Sequence, residues 1–496
     1  MFSRLPAPPA GVVRSDVMAS LVVFLIAVPL CVGVAVASGV PAELGLVTGI
    51  VGGLVAGILP GSSLQVSGPA AGLTVLVYEA IQTHGLAALG VIVLASGVLQ
   101  MALGAARCGR WFRGISVAVV QGMLAGIGLV LILGQVYAMV DLSAPGSGPE
   151  KIGDLPTLVV DTASSRTAVS AFLVGAGTIA VLGLWKRVAG RLSQAFPAPL
   201  AAVALATIAV AVLDLPVATV KVQGLIKSLQ PLDLGDFFRL GDMAVLGTVV
   251  AFALIASAES LFSAAAVDRI HNGPRTNYNK ELMAQGVGNT VCGLLGALPM
   301  TAVIVRSSAN VRAGAQTKVS RVLHGVWLLL FAALLPAALA VIPLAALAGV
   351  LIHAGGKLIP VRELVPLWRE HRGEAVVLVV TALAIVATNM FEGVLLGLLM
   401  AVAKAAWETS VVHLEVDDSH ARRIRVRLTG NATFLRLPKI LDTLEALPPD
   451  RLIDLDLSGL HHLDHSCHTA MTSWAQQHNE DGTEVVRVKI PPTPPP

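Results

Sequence analysis

An arginine stands inside a short apolar stretch in the second half of the chain. The sequence ALPMTAVIVRSSANVRAGAQT begins at Ala297 and places Arg306 seven residues after Pro299. A guanidinium in an apolar run is costly unless it pairs with a carboxylate, reaches a membrane interface, or faces a cavity where it attracts an anion. The sequence leaves these three interpretations open, and anion binding is the chemistry that we favour.

A carboxylate occupies the interior of a second apolar run. Glu259 lies in VLGTVVAFALIASAESLFSAAAVDRI, and Ser263 follows one helical turn later on the same face. An ionised, unpaired carboxylate at membrane depth is strongly disfavoured, so Glu259 is expected to take up a proton, or to bind a small cation together with Ser263. Pairing of Glu259 with Arg306 is the structural alternative. Three other carboxylates fall near segment ends and are expected at the interface: Glu79, Glu281 and Glu392.

Two short apolar segments each follow a proline. In GSSLQVSGPAAGLTVLVYEA, Pro69 opens a stretch of about 13 apolar residues, and the second segment opens at Pro299. Both are shorter than the roughly 17 to 25 residues that span a bilayer. We interpret each as an extended lead-in followed by a half-helix that carries its proline in the first turn and ends near the middle of the membrane.

The two short segments also indicate an internal repeat. Pro69 and Pro299 are 230 residues apart, and the same offset carries Pro29, in the first helix, onto Glu259, in the eighth. Seven segments per half is an odd number, so the second half must be inverted, and the two half-helix starts would face one cavity at the midplane. The residues expected to offer amides to an anion there, with the Thr301 hydroxyl in addition, are Ala70, Ala71, Gly72, Thr301, Ala302 and Val303.

The composition defines the setting in which these groups must work. Hydrophobic residues make up 55% of the 496-residue chain, charged residues 13%, and the mean hydropathy is +0.78. A soluble protein of this length could hardly stay in solution with this balance, so a polytopic membrane protein is expected. About fourteen apolar segments start near residues 17, 43, 69, 86, 115, 166, 197, 241, 280, 300, 319, 344, 373 and 392.

The distribution of basic residues predicts the topology. If the N-terminus is cytoplasmic, the loops on that side carry eighteen Lys and Arg residues and the opposite loops carry five. This positive-inside bias puts both termini in the cytoplasm and explains the net charge of +3 without a nucleic-acid partner. The first ten residues lack the apolar core of a cleaved signal peptide, and the four scattered cysteines imply no disulfide framework.

The tail from Val411 has the pattern of a small α/β module. RIRVRL alternates as a strand does, KILDTLEAL suits a helix, and LIDLDLSGL suits a buried strand. In HHLDHSCH, four side chains could crowd together as zinc ligands: His461, His465, Cys467 and His468. A solvent-facing loop and helix start is the preferred interpretation, because no second ligand pair accompanies them and no metal or other cofactor is expected.

Taken together, these pieces resemble the SulP anion transporter family, whose animal members form solute carrier family twenty-six. The matching stretches are SDVMASLVVFLIAVPLCVGVAVASGVP, VSGPAAGLT, ASAESLFSAAAVD and PMTAVIVRSSANVRAGAQTKVS, in that order. The tail is similar to the STAS domain of that family, with a G-x-x-x-F turn from Gly430 to Phe434 and the DLSGLHHLDHS stretch. Ser466 matches the phosphorylated serine of related bacterial signalling domains, but the expected tasks of the tail are dimerisation and trafficking.

The resemblance implies an all-α membrane fold of fourteen transmembrane segments in a 7+7 inverted repeat, followed by a small α/β STAS domain. Helices one to four and eight to eleven would form a core domain and the other six a gate domain. The expected boundaries are a cytoplasmic segment at 1–14, the transport domain at 15–408, the STAS-like domain at 409–490 and a Pro-rich tail at 491–496.

The resemblance also implies function. We expect a secondary transporter and not an enzyme, forming a homodimer in the lipid bilayer of a bacterial inner membrane. It would carry a small inorganic or carboxylate anion, such as fumarate, bicarbonate or sulfate, with H⁺. Na⁺-coupled symport and an uncoupled exchanger or channel remain alternatives, and a nucleobase permease would need polar groups that match a base edge.

Departures from the family pattern narrow the expected substrate contacts. Leu30, Val34 and Val305 stand where many relatives have a glutamine, an aromatic residue and a serine. Arg306, Ser307 and the backbone amides are then left to define the site. Phe24 could line the cavity, with a core-facing or lipid-facing ring as the alternative.

Overall fold

The computed structural model describes residues 10–110, 116–190, 196–271, 273–420, 422–481 and 485–489. The chain divides into two compact units, residues 1–398 and 399–496. Two of the expected segments fall wholly or largely outside the described residues: the start of the N-terminal segment at 1–9 and the Pro-rich tail at 491–496.

The first half of the larger unit is helical apart from one short strand. The π-helical turn Gly52–Ala56 continues its second helix, and the 3₁₀ turn Ala71–Leu73 leads into its third. Its elements are α1 (Ala10–Ala37), α2 (Ala42–Val51), β1 (Ser67–Pro69), α3 (Thr74–His84), α4 (Leu86–Ala105), α5 (Val117–Ala138), α6 (Gly148–Gly153), α7 (Leu155–Ser164), α8 (Arg166–Val188) and α9 (Ala198–Val212).

The second half has the same plan of long helices interrupted by one short strand. A 3₁₀ segment, Leu234–Gly241, precedes its first long helix. Its elements are α10 (Leu225–Ser228), α11 (Met243–Ile270), α12 (Tyr278–Leu294), β2 (Met300–Ala302), α13 (Ile304–Arg312), α14 (Val319–Leu334), α15 (Ala337–Ala340), α16 (Leu344–Leu358), α17 (Val361–Glu370), α18 (Arg372–Ala387) and α19 (Met390–Thr409).

The helices have the length and composition of membrane spans. Seven helices within the described residues are long and apolar enough to cross a membrane, and shorter apolar helices accompany them. Observed helices begin at the expected residues 86, 166, 319 and 344, and α1 differs most, because it begins at Ala10 and not near residue 17. Apolar side chains all around a helix are typical of a span that is buried in lipid or among other spans.

The two short strands pair with each other, although they are far apart in sequence. β1 and β2 are antiparallel, with Ser67 opposite Ala302 and Pro69 opposite Met300. Each strand is followed by a short helix, so α3 and α13 leave the antiparallel pair in opposite directions. The prediction that each proline lies in the first turn of a half-helix is wrong. Pro69 ends β1 and Pro299 precedes β2, where a missing amide is tolerated at a short strand's edge.

Buried polar side chains hold the strands and their lead-in in place. Glu281 Oε2 accepts a hydrogen bond from Ser62 N at 2.7 Å, and Gln285 Nε2 donates to Ser67 Oγ at 2.7 Å. Asn289 is bonded twice to Met300, as acceptor from its N at 2.7 Å and as donor to its O at 3.1 Å. Glu281 is therefore a buried structural residue in the first turn of α12, and its interfacial position stays a prediction.

The C-terminal unit is a mixed four-stranded sheet with two helices. The strand order is β3-β4-β5-β6, with β3 antiparallel to β4 and the other two pairs parallel. The apolar face of the sheet and both helices form one core. The elements are β3 (Val412–His420), β4 (Arg423–Ala432), α20 (Leu437–Glu445), β5 (Leu452–Leu463), α21 (His465–Asp481) and β6 (Val486–Lys489).

Candidate functional site

The start of the first half-helix lies directly against Glu259. A Cβ added at Gly72 would stand 2.8 Å from Glu259 Oε1 and 2.9 Å from Oε2, so the carboxylate occupies the space that a side chain would need. The first helical bond runs from Leu73 N to Ala70 O, and the amides of Ala71 and Gly72 precede it. These amides are therefore placed at a helix N-terminus, where anions are favoured.

Glu259 and Ser263 face one small cavity, as expected. The cavity has a volume of about 50 Å³, and its lining includes these two residues together with Ile304 and Val305, in the first turn of α13. Ser263 Oγ donates to Ala302 O at 2.8 Å, which leaves its oxygen lone pairs available to a cation or a proton donor. Glu259 therefore lies against the start of the first half-helix and shares a cavity with the first turn of the second.

The amides of the second strand are used by the protein itself. Ala302 N donates to Ser260 Oγ at 3.2 Å, and Val303 N donates to Val66 O at 2.9 Å. The expectation that these two amides are free for an anion is wrong, because β2 continues to Ala302 and is clamped on both sides. The amides that precede the first bond of α13, from Ser307 N to Val303 O, belong to residues 304–306.

Thr301 has a buried hydroxyl beside the Glu259 carboxyl. The side chain is fully buried, and Thr301 lies opposite Gly68 in the strand pair. Its hydroxyl is close enough to interact with the Glu259 carboxyl. Within the described part of the chain, neither Thr301 Oγ1 nor Glu259 Oε2 reaches a full hydrogen bond. The hydroxyl is thus positioned to donate to this carboxylate or to a bound ligand.

Ser307 holds the backbone together and does not reach the cavity. Its hydroxyl donates to Val303 O at 2.8 Å and accepts from Val66 N at 2.9 Å. The side chain is fully buried. The expected direct contact of Ser307 with the substrate is therefore not supported by this arrangement, because the hydroxyl already bridges the lead-in of β1 and the start of α13.

Arg306 lies behind the first strand as a buried cation. Its side chain is 0% exposed, which excludes snorkelling to an interface. Nη2 donates to Pro69 O at 3.4 Å, and a Cβ at Gly68 would lie 2.2 Å from Nη1. Nε and Nη1 lack partners among the described residues, and no ion pair with Glu259 is found there. The structural pairing of Arg306 with Glu259 is therefore not observed, and Arg306 is absent from the lining of the small cavity.

Phe24 takes the core-facing role. Its ring meets that of Phe331 edge to face, with ring centroids 5.8 Å apart. It packs beside an apolar cluster of α1, α2 and α16 residues. Such a contact stabilises helix packing, and Phe24 does not line the cavity that contains Glu259.

Several functional residues were not found from sequence. Ser260 fixes the amide of Ala302, and Gln285 and Asn289 hold one strand each. Gln285 and Asn289 are four residues apart in an otherwise small and apolar helix, so they share one face. That polar face was a usable signal, since a buried amide side chain normally has a partner.

The C-terminal unit provides no metal site within the residues that the structure describes. Cys467 is fully buried in the core, while His461, His465 and His468 are exposed, so these side chains do not converge. Burial raises the pKa of Cys467 to about 12. Asp464 Oδ1 accepts from Cys467 N at 2.7 Å, so this stretch starts a helix, as preferred from sequence, and Ser466 lies exposed in its first turn.

Comparison with known proteins shows the family of the chain. Residues 13–381 match the model of the sulfate permease family. A Bacillus subtilis protein named as a candidate sulfate transporter, YvdB, is 28% identical over 396 residues, which cover 78% of this chain and 72% of that protein. The bicarbonate transporter BicA of Picosynechococcus is 26% identical over 364 residues, covering 69% of this chain and 61% of that one.

A solved structure extends the likeness to the C-terminal unit. The murine anion transporter Slc26a9 in its inward-facing state superposes with a TM-score of 0.76 at 15% identity, covering 97% of this chain and 86% of that one. This similarity shows the fold, a polytopic helical membrane protein followed by a small mixed-sheet domain. The chain belongs to the sulfate permease family of membrane anion transporters, as the sequence resemblance indicated.

Proposed function

We propose that this protein is a secondary active transporter that carries a small anion together with H⁺ by alternating access. The observation that carries the proposal is the contact between Gly72, at the start of the first half-helix, and the carboxylate of Glu259. It joins an anion-binding element and a titratable group in one place.

The anion would bind at the two half-helix starts. The unbonded amides at Ala71 and Gly72 and those at residues 304–306 point away from their helices, and each helix start carries about half a positive charge. Arg306 adds a full positive charge next to β1, and no carboxylate among the described residues pairs with it. An anion there would gain from both without needing a dedicated cage of side chains.

Coupling follows from the position of Glu259. An anion held at the amide of Gly72 would stand roughly 5 Å from this carboxylate, and two like charges at that separation repel by about 3 kcal/mol at an effective dielectric of about 20. Protonation removes that repulsion, which is a factor of roughly 100 in affinity. The proton and the anion would therefore bind together, and an empty site would release both.

The substrate class that we propose is a small oxyanion or carboxylate. Sulfate and bicarbonate are suggested by the names of the relatives YvdB and BicA. Fumarate and similar dicarboxylates fit the same chemistry of backbone amides and one guanidinium. Na⁺ in place of H⁺ is the alternative for coupling, because Glu259 and Ser263 both offer oxygens to the small cavity.

The architecture that we propose is a 7+7 inverted repeat of fourteen segments, with a core and a gate domain and both termini cytoplasmic. The antiparallel pairing of β1 with β2 and the opposite directions of α3 and α13 support it. The proposed location is a bacterial inner membrane, in which the protein would act as a homodimer. The expected boundary between residues 408 and 409 coincides with the last turn of α19.

The test is gradient-driven uptake in proteoliposomes. With an inward pH gradient, the wild type should accumulate bicarbonate or sulfate. Glu259→Gln should reduce that uptake at least 100-fold, because a glutamine side chain cannot bind and release a proton. Glu370→Gln removes the same charge from an exposed position and should change nothing. Undiminished gradient-driven uptake by Glu259→Gln would refute the assignment.

Two controls separate the alternatives. Uptake that follows a Na⁺ gradient and ignores the pH gradient would establish Na⁺ as the coupling ion. A large anion current that is independent of any gradient-driven accumulation would indicate a channel.

A further inference from the structure

A second and larger cavity lies on the side of the membrane opposite the start of α1. Its volume is about 340 Å³. One wall consists of the last turns of α1 and the body of α3, and the other consists of the last turns of α5 and the first turns of α16, closed by the segment 141–151. Thr74, in the first turn of α3, lines its inner end, two residues from Gly72. The cavity therefore borders the start of the first half-helix.

Charged groups face this cavity from its first wall and from the closing segment. Lys151 and Asp141 come from the closing segment, and Glu79 comes from α3. Lys151 is only 7% exposed, and its Nζ donates to Gly146 O at 3.4 Å, which uses one of its three donors. Asp141 Oδ2 accepts from Ala218 N at 2.9 Å, but its buried Oδ1 has no partner in the described chain. The hydroxyl of Thr74 is likewise buried without a partner among those residues.

The two charges of the closing segment are poorly solvated. Burial lowers the pKa of Lys151, an effect that the nearby Glu79 and Glu150 oppose. Burial also raises the pKa of Asp141, and the hydrogen bond from Ala218 N opposes that change. An ammonium and a carboxyl in this condition both gain when a ligand supplies a negative charge to one and a hydrogen-bond donor to the other.

We propose that this cavity is a binding station for a singly charged oxyanion that carries a hydroxyl, the class that includes bicarbonate and half-protonated dicarboxylates. Lys151 pairs with the negative charge, and Asp141 or Glu79 accepts the hydroxyl hydrogen. The station rests on the proposed transport function and adds selectivity to it, because a substrate from this side passes it before reaching Glu259.

The station would bind fully ionised dianions such as sulfate with lower affinity. A dianion has no hydrogen to donate, so it would leave both carboxylates facing an unscreened negative charge in a partly buried cavity. One such repulsion at roughly 6 Å is worth about tenfold or more in affinity. A monoanion with a hydroxyl converts the same contact into a charge-assisted hydrogen bond.

The experiment measures KM in membrane vesicles of both orientations. In right-side-out vesicles, which expose the cavity, Lys151→Met should raise the KM for bicarbonate about tenfold, and inside-out vesicles should show no change. Lys227→Met removes the same charge from an exposed position in the short helix α10 and should leave both values unchanged. Equal KM values for Lys151→Met and Lys227→Met in right-side-out vesicles would overturn the station.

A second variant tests the selectivity in the opposite direction. Glu79→Gln should lower the KM for sulfate at least fivefold in right-side-out vesicles, and it should raise the KM for bicarbonate, because an amide oxygen accepts the hydroxyl hydrogen more weakly than a carboxylate does. This gain cannot arise from misfolding, so it decides the question even if Lys151→Met does not fold. An unchanged ratio of the two KM values would contradict the proposal. Failure of the transport function would look different, because the wild type itself would then accumulate neither anion.

Discussion

The two half-helix starts each follow a short strand, but they differ in the size and charge of the side chains around them. At the first start, Ala70, Ala71 and Gly72 are small, and the Glu259 carboxylate is the group nearest to the open side of Gly72. At the second start, bulky Ile304 and Val305 line the cavity, and serine hydroxyls clamp the strand and the first turn. The charged residue of the second half-helix, Arg306, points behind the strand pair, toward Gly68.

This difference suggests that the two half-helix starts have different tasks. The first tip combines small residues with a titratable group beside them, so it is where coupling would occur under the proposed function. The second tip provides a rigid strand, a helix dipole and a fixed cation, so it sets the electrostatic field. Substitutions at the first tip should therefore destroy coupling, whereas substitutions at the second should change affinity or stability and leave coupling intact.

The largest expected effect comes from adding one methyl group at the first tip. Gly72→Ala would place Cβ 2.8 Å from Glu259 Oε1, so the carboxylate must leave its position. Gradient-driven uptake should fall at least 100-fold. Gly247→Ala, in the same helix as Glu259 but with nothing within 4 Å, is the matched control and should transport normally. Equal uptake by the two variants would contradict the proposed role of the first half-helix start in coupling.

A smaller effect is expected where the strand contacts the buried cation. Gly68→Ala would place Cβ 2.2 Å from Arg306 Nη1, and the guanidinium must shift. The KM should rise about tenfold, since the field at the tips weakens, while the pH dependence of uptake persists. A double-mutant cycle with Arg306→Gln checks the cause. If Gly68→Ala acts through Arg306, it should add little in that background, and full additivity would show another cause.

The smallest effects concern the serines that clamp β2. Ser263→Ala removes a hydrogen bond to Ala302 O worth about 1 kcal/mol, and should slow uptake a fewfold. Ser260→Ala instead leaves the buried Ala302 amide without its acceptor, at a cost of about 1–3 kcal/mol, and should lower the melting temperature more. Thermal unfolding of both purified variants measures this order. The reverse order would mean that the strand is not held as described.

The sequence predicted the helices well because each membrane span requires a continuous run of apolar residues. Apolar runs preceded by Gly or Pro located helix starts such as Leu86 and Leu344, and a run preceded by two serines located Arg166. The positions of the half-helices were less accurate, because the strand pairing that delays α13 to Ile304 joins residues more than 230 apart and leaves no local pattern. A proline that can open a helix can equally end a strand.

The sequence predicted which residues lie at the site better than it predicted the contacts that they make. Glu259 and Ser263 were placed on one face by their spacing, and the structure puts them in one cavity. Which amides are free depends on whether a neighbour such as Ser260 or Val66 has already bonded them, and that is a property of tertiary packing. The orientation of Arg306 likewise depends on space left by Gly68.

The pH dependence of anion affinity tests the central claim most directly. Binding of bicarbonate or sulfate to the purified protein in nanodiscs should weaken as Glu259 ionises, approaching tenfold per pH unit, because anion and proton occupy adjacent positions. In Glu259→Gln the affinity should be high and independent of pH across the same range. Parallel pH profiles for the two proteins would contradict the account.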